Sequence, residues 1–234
     1  MLNERTSEIL EALVQDFINT GEPISSGWLY DHYDFGIKPA MIRLELEQLF
    51  NDGFLEQPHH AAGRIPSNKG YDFFAKKVLA EEDGSTGAFE QSLRNFLGNG
   101  NWPDLVGEMS AGLKLLSVAN SAAEHGSFKE GLDNLIENLE WESPEELKSV
   151  VKDFVEIDER LNHLGKEIFN LNSPSVFIGK KSPVTKSECL SVVMGSYDSG
   201  KGKVALFAIG PKRMNYKKTL KTFKNLKNGR NNKK

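Results

Sequence analysis

The chain predicts an α+β fold with a helical start, a helical middle and a small three-stranded sheet followed by a helix near its end. Three observations carry this. Apolar residues recur at helical spacing through the first fifty positions, a long acidic stretch with helix-forming composition follows, and three short β-branched and aromatic runs cluster near the C-terminus. With 234 residues the chain is long enough for one large or two small cores.

In NERTSEILEALVQDFINTGEP, Ile9, Leu10, Leu13, Val14, Phe17 and Ile18 fall on one helical face; Asn3 or Thr6 can cap the start, and Gly21 and Pro23 stop it. A second helix fits SSGWLYDHY, with Ser25 or Ser26 as cap and Trp28, Leu29 and Tyr33 toward the core, before a turn at Gly36. The third spans Pro39 to Asn51, with proline in its first turn, where the missing amide hydrogen costs nothing. Its inner stripe is Ile42, Leu46 and Leu49, and its outer side shows Ala40, Arg43, Leu44 and Glu47, with Gln48 at the edge. Gly53 and a strand FLEQP come next, running out to a tip that holds Gly63 and returning through Arg64-Ile65-Pro66; Ser67 then caps a helix with Tyr71, Phe73 and Phe74. Three helices, a strand and a returning strand describe a winged helix-turn-helix over residues 1–80. A third helix of this length, with small and polar outer residues, fits the major groove of duplex DNA.

The acidic run EEDGSTG, residues 81–87, reads as a linker. Beyond it, over 88–230, helices are expected at Phe89–Leu97, Pro103–Ala119, Phe128–Leu139 and Pro144–Phe169, the last opened by the capped start Ser143-Pro144-Glu145-Glu146. Strands follow at Ser175–Ile178, Leu190–Tyr197 and Lys203–Ile209, with YDSGKG as a hairpin turn. From Lys212 onward there are 10 basic residues and no acid. Tyr216, Leu220, Phe223 and Leu226 share helical spacing, so this part reads as an amphipathic helix docked on the sheet. Its lysines form either a plain solvated face or a source of positive charge for a polyanion. Residues 231–234 read as a basic, disordered end.

Net charge is −4, but it is unevenly placed: −6 over residues 1–76, −11 over 77–175 and +13 over 176–234. A basic block of this kind points to nucleic acid, to an acidic surface, or to neutralisation by the chain's own acidic middle. The longest apolar run, VALFAI, is too short to span a bilayer, and the N-terminus lacks a charged region followed by an apolar one; a cytoplasmic protein with no membrane partner is expected. Cys189 is alone, so no intrachain disulfide or cysteine cage can form, and it reads as a core position, with a catalytic thiol as the alternative. His59 and His60 are adjacent, point to opposite sides of an extended strand, and have no third ligand nearby, so no metal and no cofactor is expected. One of His59 and His60 reads as a neighbour of phosphate. No Walker loop, Gly-x-Ser-x-Gly or paired histidine on a helix face is present, and the chain reads as a non-enzyme. Arg43 can contact a base or phosphate or pair with Glu47 at i,i+4. Arg64, at the end of a glycine turn in an exposed wing, can reach phosphate or a minor groove.

The segments RTSEIL, INTGEPISS, IR in the third helix, GFLEQPH and AGRIPSNKGY resemble the heat-inducible transcription repressors of the HrcA family. So do VFIGKKS, LSVVMGSY and AIGPKRMNY, the last carrying Gly210, Pro211, Arg213, Met214 and Tyr216 as a turn into a helix. The resemblance implies a dimeric repressor with a winged helix and a GAF-like domain, here reduced, because the central part is short. It implies binding to an inverted-repeat operator upstream of chaperone genes and modulation by a GroEL-type chaperonin. The candidate DNA-contacting set is Lys38, Ala40, Met41, Arg43, Leu44, Glu47, His60, Gly63, Arg64 and Lys69, of which Arg43 matches the family's third helix. The chain departs from the family in KPAMIRL, where Lys38, Met41 and Leu44 replace short polar residues, and in His60-Ala61, so a different operator preference is expected. The alternative expectation is a winged-helix protein-interaction module whose basic C-terminal tail binds an acidic partner or RNA.

Overall fold

Asn3 opens the first helix by accepting a hydrogen bond from the Thr6 amide at 2.8 Å. A computed structural model describes residues 2–81, 86–124, 126–139, 143–171 and 173–227. Its backbone divides into two units, residues 1–77 and 78–234. Positions 82–85 of the expected linker and the expected basic end at 231–234 lie outside the described residues.

In the first unit, α1 (Glu4–Thr20), α2 (Ser26–His32) and α3 (Pro39–Asn51) precede a two-stranded antiparallel hairpin of β1 (Leu55–Glu56) and β2 (Ile65–Pro66), and α4 (Asn68–Ala80) follows. Ser67 Oγ accepts from the amides of Lys69 and Gly70 and donates to the Gly53 carbonyl at 2.7 Å, so one hydroxyl caps α4 and anchors it to the end of α3. Ile9, Leu10, Leu13, Leu29, Ile42, Leu49 and Leu55 close the core. Each fully buried aliphatic contributes roughly 1.5–3 kcal/mol. On α2 only Leu29 is buried; Trp28 and Tyr33 do not turn inward as expected, because both are drawn to the Asp16 carboxylate at the rim.

The second unit is built on a five-stranded antiparallel sheet, where the sequence predicts three strands. The order is β4-β3-β7-β6-β5, from β3 (Leu116–Ser121), β4 (Ser127–Glu130), β5 (Ser175–Ile178), β6 (Leu190–Ser199) and β7 (Gly202–Pro211). On one face Val118, Val192, Met194, Phe207 and Ile209 pack with Leu135 of α7 (Leu132–Asn138) and with Val150, Ile157 and Leu161 of α8 (Pro144–Leu164). Helices α5 (Ala88–Asn99), α6 (Trp102–Leu113) and α9 (Tyr216–Lys227) also pack on the sheet. The two extra strands come from segments expected to be helical. α6 stops at Leu113 because Lys114 takes a left-handed φ of 56°, a helix-ending conformation that glycine usually supplies. The helix expected from Phe128 is strand β4 up to Glu130, then Gly131 at φ 93° and α7. α8 ends at Leu164, and Gly165–Phe169 continue as a 3-10 turn.

Asp153, on the buried side of α8, accepts from the Lys186 amide (2.8 Å) and Arg160 Nη1 (2.5 Å) through one oxygen and from the Ser187 amide (2.8 Å) through the other. Arg160 also donates to the Val184 carbonyl at 3.0 Å, so helix and carboxylate together clamp the loop before β6. A buried carboxylate is tolerated only when its lone pairs are used in this way. Asp153→Asn swaps one of the two accepting oxygens for a donor, and we expect it to cost at least about 2 kcal/mol. Urea unfolding should show a lower midpoint at unchanged slope; an unchanged midpoint would mean that the clamp holds nothing.

Candidate nucleic-acid interface

α3 has two sharply different sides. Ile42, Leu46 and Leu49 face inward as the spacing predicts, and Glu45 is buried beside them at 8% exposure. Its carboxylate accepts from Arg5 Nη2 (2.9 Å), Arg5 Nε (3.2 Å) and Thr6 Oγ1 (2.6 Å), so α1 and α3 are joined by a charge as well as by packing. Arg5 is thereby committed to the fold and not to an outer surface. Lys38, Ala40, Met41, Arg43, Leu44 and Glu47 are all exposed. The pair considered between Arg43 and Glu47 does not form. Among the described residues the side chains of Lys38 and Arg43 make no hydrogen bond or ion pair.

α2 is held against α1 by Asp16, which accepts from Trp28 Nε1 and the Tyr33 hydroxyl, both at 2.8 Å. Burial, then the hydrogen bond and negative charge of Asp16, push the Tyr33 phenol up to about 12. Trp28 stacks on His32 with ring centroids 3.9 Å apart and keeps its outer face in water.

The hairpin turn departs from the expected free finger. Gln57 Nε2 donates to the carbonyls of His60 (3.1 Å) and Ala62 (3.0 Å), folding the turn onto itself and leaving His60 exposed at its tip. Gly63 is not in the tip. It lies at the base, where a Cβ would come within 2.6 Å of the Ile24 carbonyl carbon and oxygen and 2.8 Å of Pro23, so only glycine fits. The next residue pairs backbone to backbone with Ile24, at 2.8 and 2.9 Å. Arg64 is therefore half-buried rather than projecting. Its guanidinium lies 4.7 Å from the Phe50 ring centroid at the end of α3, a cation–π contact, and its Nε is shut off from solvent without a hydrogen-bond partner. Lys69 is also engaged: Nζ donates to the Asp52 carbonyl at 2.7 Å and lies 4.0 Å from the Phe54 ring centroid, placing positive charge at the C-terminal end of α3.

In the second unit, Gly210 lies where a Cβ would meet Leu115 at 2.3 Å, and the amide of Met214 closes a turn onto the Pro211 carbonyl at 2.9 Å. Met214 is buried; Tyr216 is fully buried, its hydroxyl donating to the Lys212 carbonyl (2.8 Å) and lying 2.9 Å from Ser191 Oγ. Arg213 is half-buried beside this turn. Cys189 is half-buried, and burial pushes its thiol up to about 11. No cluster of metal-ligating side chains occurs among the described residues.

Glu45, Asp16 and Phe50 were missed as organisers of this surface. For the two acids a signal existed: each lies within an apolar helical stretch, where a charge needs a partner.

Gly63→Ala forces the added methyl against Ile24, and we expect a loss of about 1–3 kcal/mol in urea unfolding; a variant as stable as the parent would show that the close approach is not required. Asp16→Asn removes a charge and a strong acceptor from Tyr33. In a pH titration of ring-labelled tyrosines the Tyr33 phenol should move from about 12 toward its ordinary 10. Because the folded phenol holds its proton more tightly than the unfolded one, the stability Tyr33 contributes is lost as pH rises from about 10 to about 12, and the variant should lose less over that window. A phenol unmoved by the substitution would refute the coupling.

The family description "HrcA protein C terminal domain" matches residues 89–220. The "Heat-inducible transcription repressor HrcA" of Streptomyces avermitilis is 32% identical over 162 residues, covering 69% of this chain and 48% of that protein. The protein of the same name from Synechocystis is 38% identical over 117 residues (48% of this chain, 31% of that one), and that from Carboxydothermus hydrogenoformans is 51% identical over 79 (34% and 23%). The chain spans about half the length of the first of these relatives. A crystal structure of a hypothetical protein aligns with a TM-score of 0.77 at 16% identity, over 97% of this chain and 96% of that one, a likeness of fold. With more than half of its residues matched by the family description and a relative 32% identical over 69% of its length, the chain belongs to the HrcA family.

Proposed function

We propose that this chain is a DNA-binding repressor of heat-shock and chaperone genes, with residues 1–80 acting as a winged helix-turn-helix and residues 88–230 as a reduced GAF-like regulatory and dimerisation domain. The third helix enters the major groove of an inverted-repeat operator, and two copies of the chain occupy its two halves. Modulation by a GroEL-type chaperonin comes with the family. One observation carries the DNA-reading part: an α3 whose outer face is exposed from Lys38 to Glu47 and whose two cations, Lys38 and Arg43, are left without partners among the described residues.

The hairpin's part in this reading is narrower than the sequence suggests. His60 is exposed at the tip and can meet a phosphate, whereas Arg64 is half-buried and supports the end of α3 through Phe50. Residues 1–76 carry a net −6, so affinity of the first unit for a polyanion depends on the placement of its few cations rather than on their number.

A second reading has its own support. Trp28 and Tyr30 on α2 are 40% and 49% exposed, and on an acidic unit such aromatic groups suit a protein partner, with the basic tail engaging an acidic partner or RNA.

Arg43→Ala separates the two. For a direct base contact, affinity for the promoter of the cell's own chaperonin operon falls roughly 5- to 150-fold, equivalent to about 1–3 kcal/mol, with thermal stability unchanged. A gel shift with competitor DNA at two salt concentrations reads this. Retention equal to the parent's, or binding that shows no sequence preference and disappears with salt, favours the interaction module.

A further inference from the structure

Two large aliphatic side chains of α3 are in water, Leu44 opposite the core and Met41 on the adjoining flank: Met41 is 44% exposed and Leu44 57%. The core does not need them, since Ile42, Leu46 and Leu49 already close the inner side. At three residues apart they are neighbours one turn along the same side of the helix, about 4.5 Å apart along its axis. A helix face serving water alone is normally polar. Here Leu44 stands opposite the core with Met41 on one flank and Arg43 on the other, and Lys38 precedes the first turn; neither cation is neutralised by a described residue.

The cations select a polyanion, and the aliphatic pair selects an apolar spot within it. On base edges in the major groove that spot is the thymine 5-methyl group. Neighbouring base pairs are about 3.4 Å apart, close to the axial spacing of the two side chains. Both also lie in the N-terminal half of α3, the part that a helix docked in the groove brings to the base edges. Ala40 is exposed beside them, and its small side chain allows the close approach that a methyl contact needs.

We propose that Met41 and Leu44 are specificity-determining residues that read thymine 5-methyl groups on neighbouring base pairs of each half-site. The proposal rests on the reading of α3 as the DNA-reading helix, and the test keeps the two apart.

The full chain is used to select duplexes from a random pool. In the winning sequence each thymine is then replaced by deoxyuridine, which deletes the methyl group and nothing else. The expected result is a loss of affinity of about fourfold at each of two neighbouring positions per half-site. Leu44→Ala should abolish the response at one of them and Met41→Ala at the other. Both side chains are exposed, so neither variant should shift the unfolding temperature. A selected site indifferent to deoxyuridine everywhere overturns methyl reading while leaving α3 as the reading helix. A deoxyuridine response that survives both substitutions overturns the assignment to these residues and leaves the apolar face to a protein partner. A pool that yields no preferred sequence overturns the DNA-reading function and this inference with it.

Discussion

The buried carboxylate of Glu45 decides which way α3 faces. A helix is free to roll about its axis until something fixes its phase, and aliphatic packing alone tolerates small rotations. A charge in the core does not. Withdrawn from Arg5 and Thr6, the carboxylate would be left desolvated and unpaired, at a cost of several kcal/mol. With Glu45 and the Ile42, Leu46 and Leu49 stripe turned inward, about 100° per residue puts Ala40, Leu44 and Glu47 opposite that stripe, Arg43 on the flank away from Glu45 and Met41 on the flank beside it. The orientation of the surface that the functional account uses is thus set by an ion pair on the inner side of the same helix.

The hairpin extends the same logic. Gly63 has no Cβ, so the returning strand can press against Pro23 and Ile24, and the backbone pairing made there brings Arg64 back over Phe50 at the end of α3. The turn between the strands is closed by Gln57 and leaves His60 exposed with its neighbours His59 and Ala61. The hairpin therefore braces α3 as much as it reaches outward. In the second unit Asp153 plays a corresponding part: a satisfied buried carboxylate fixes a loop, and around it the sheet takes helices on both faces.

Local signals were legible in the sequence, and contacts between distant residues were not. Helical spacing correctly placed α1, the bounds of α3 and the division of α3 into inner and outer sides, because periodicity is a property of a single segment. Strands β3 and β4 were hidden: LSVANS is a short segment of mixed apolar and polar residues that fits helix or strand equally, and the helix before it ends at a lysine in a left-handed conformation rather than at glycine or proline. The roles of Gly63 and Arg64 depend on Ile24 and Phe50, which lie far from them along the chain, so a turn glycine and a free arginine were the natural expectations from local sequence. The exposed set on α3 could be read in advance; the commitment of Arg5, Arg64 and Lys69 to the fold could not.

The most direct measurement is cleavage of bound DNA from a fixed point on α3. An iron chelate attached through Glu47→Cys, with Cys189 slow to label because burial pushes its thiol up to about 11, generates hydroxyl radicals at the helix surface. The account predicts cuts confined to two clusters, one in each half of the selected duplex and placed where the major groove faces the helix. Uniform cutting, or none, at full occupancy of the DNA would contradict it.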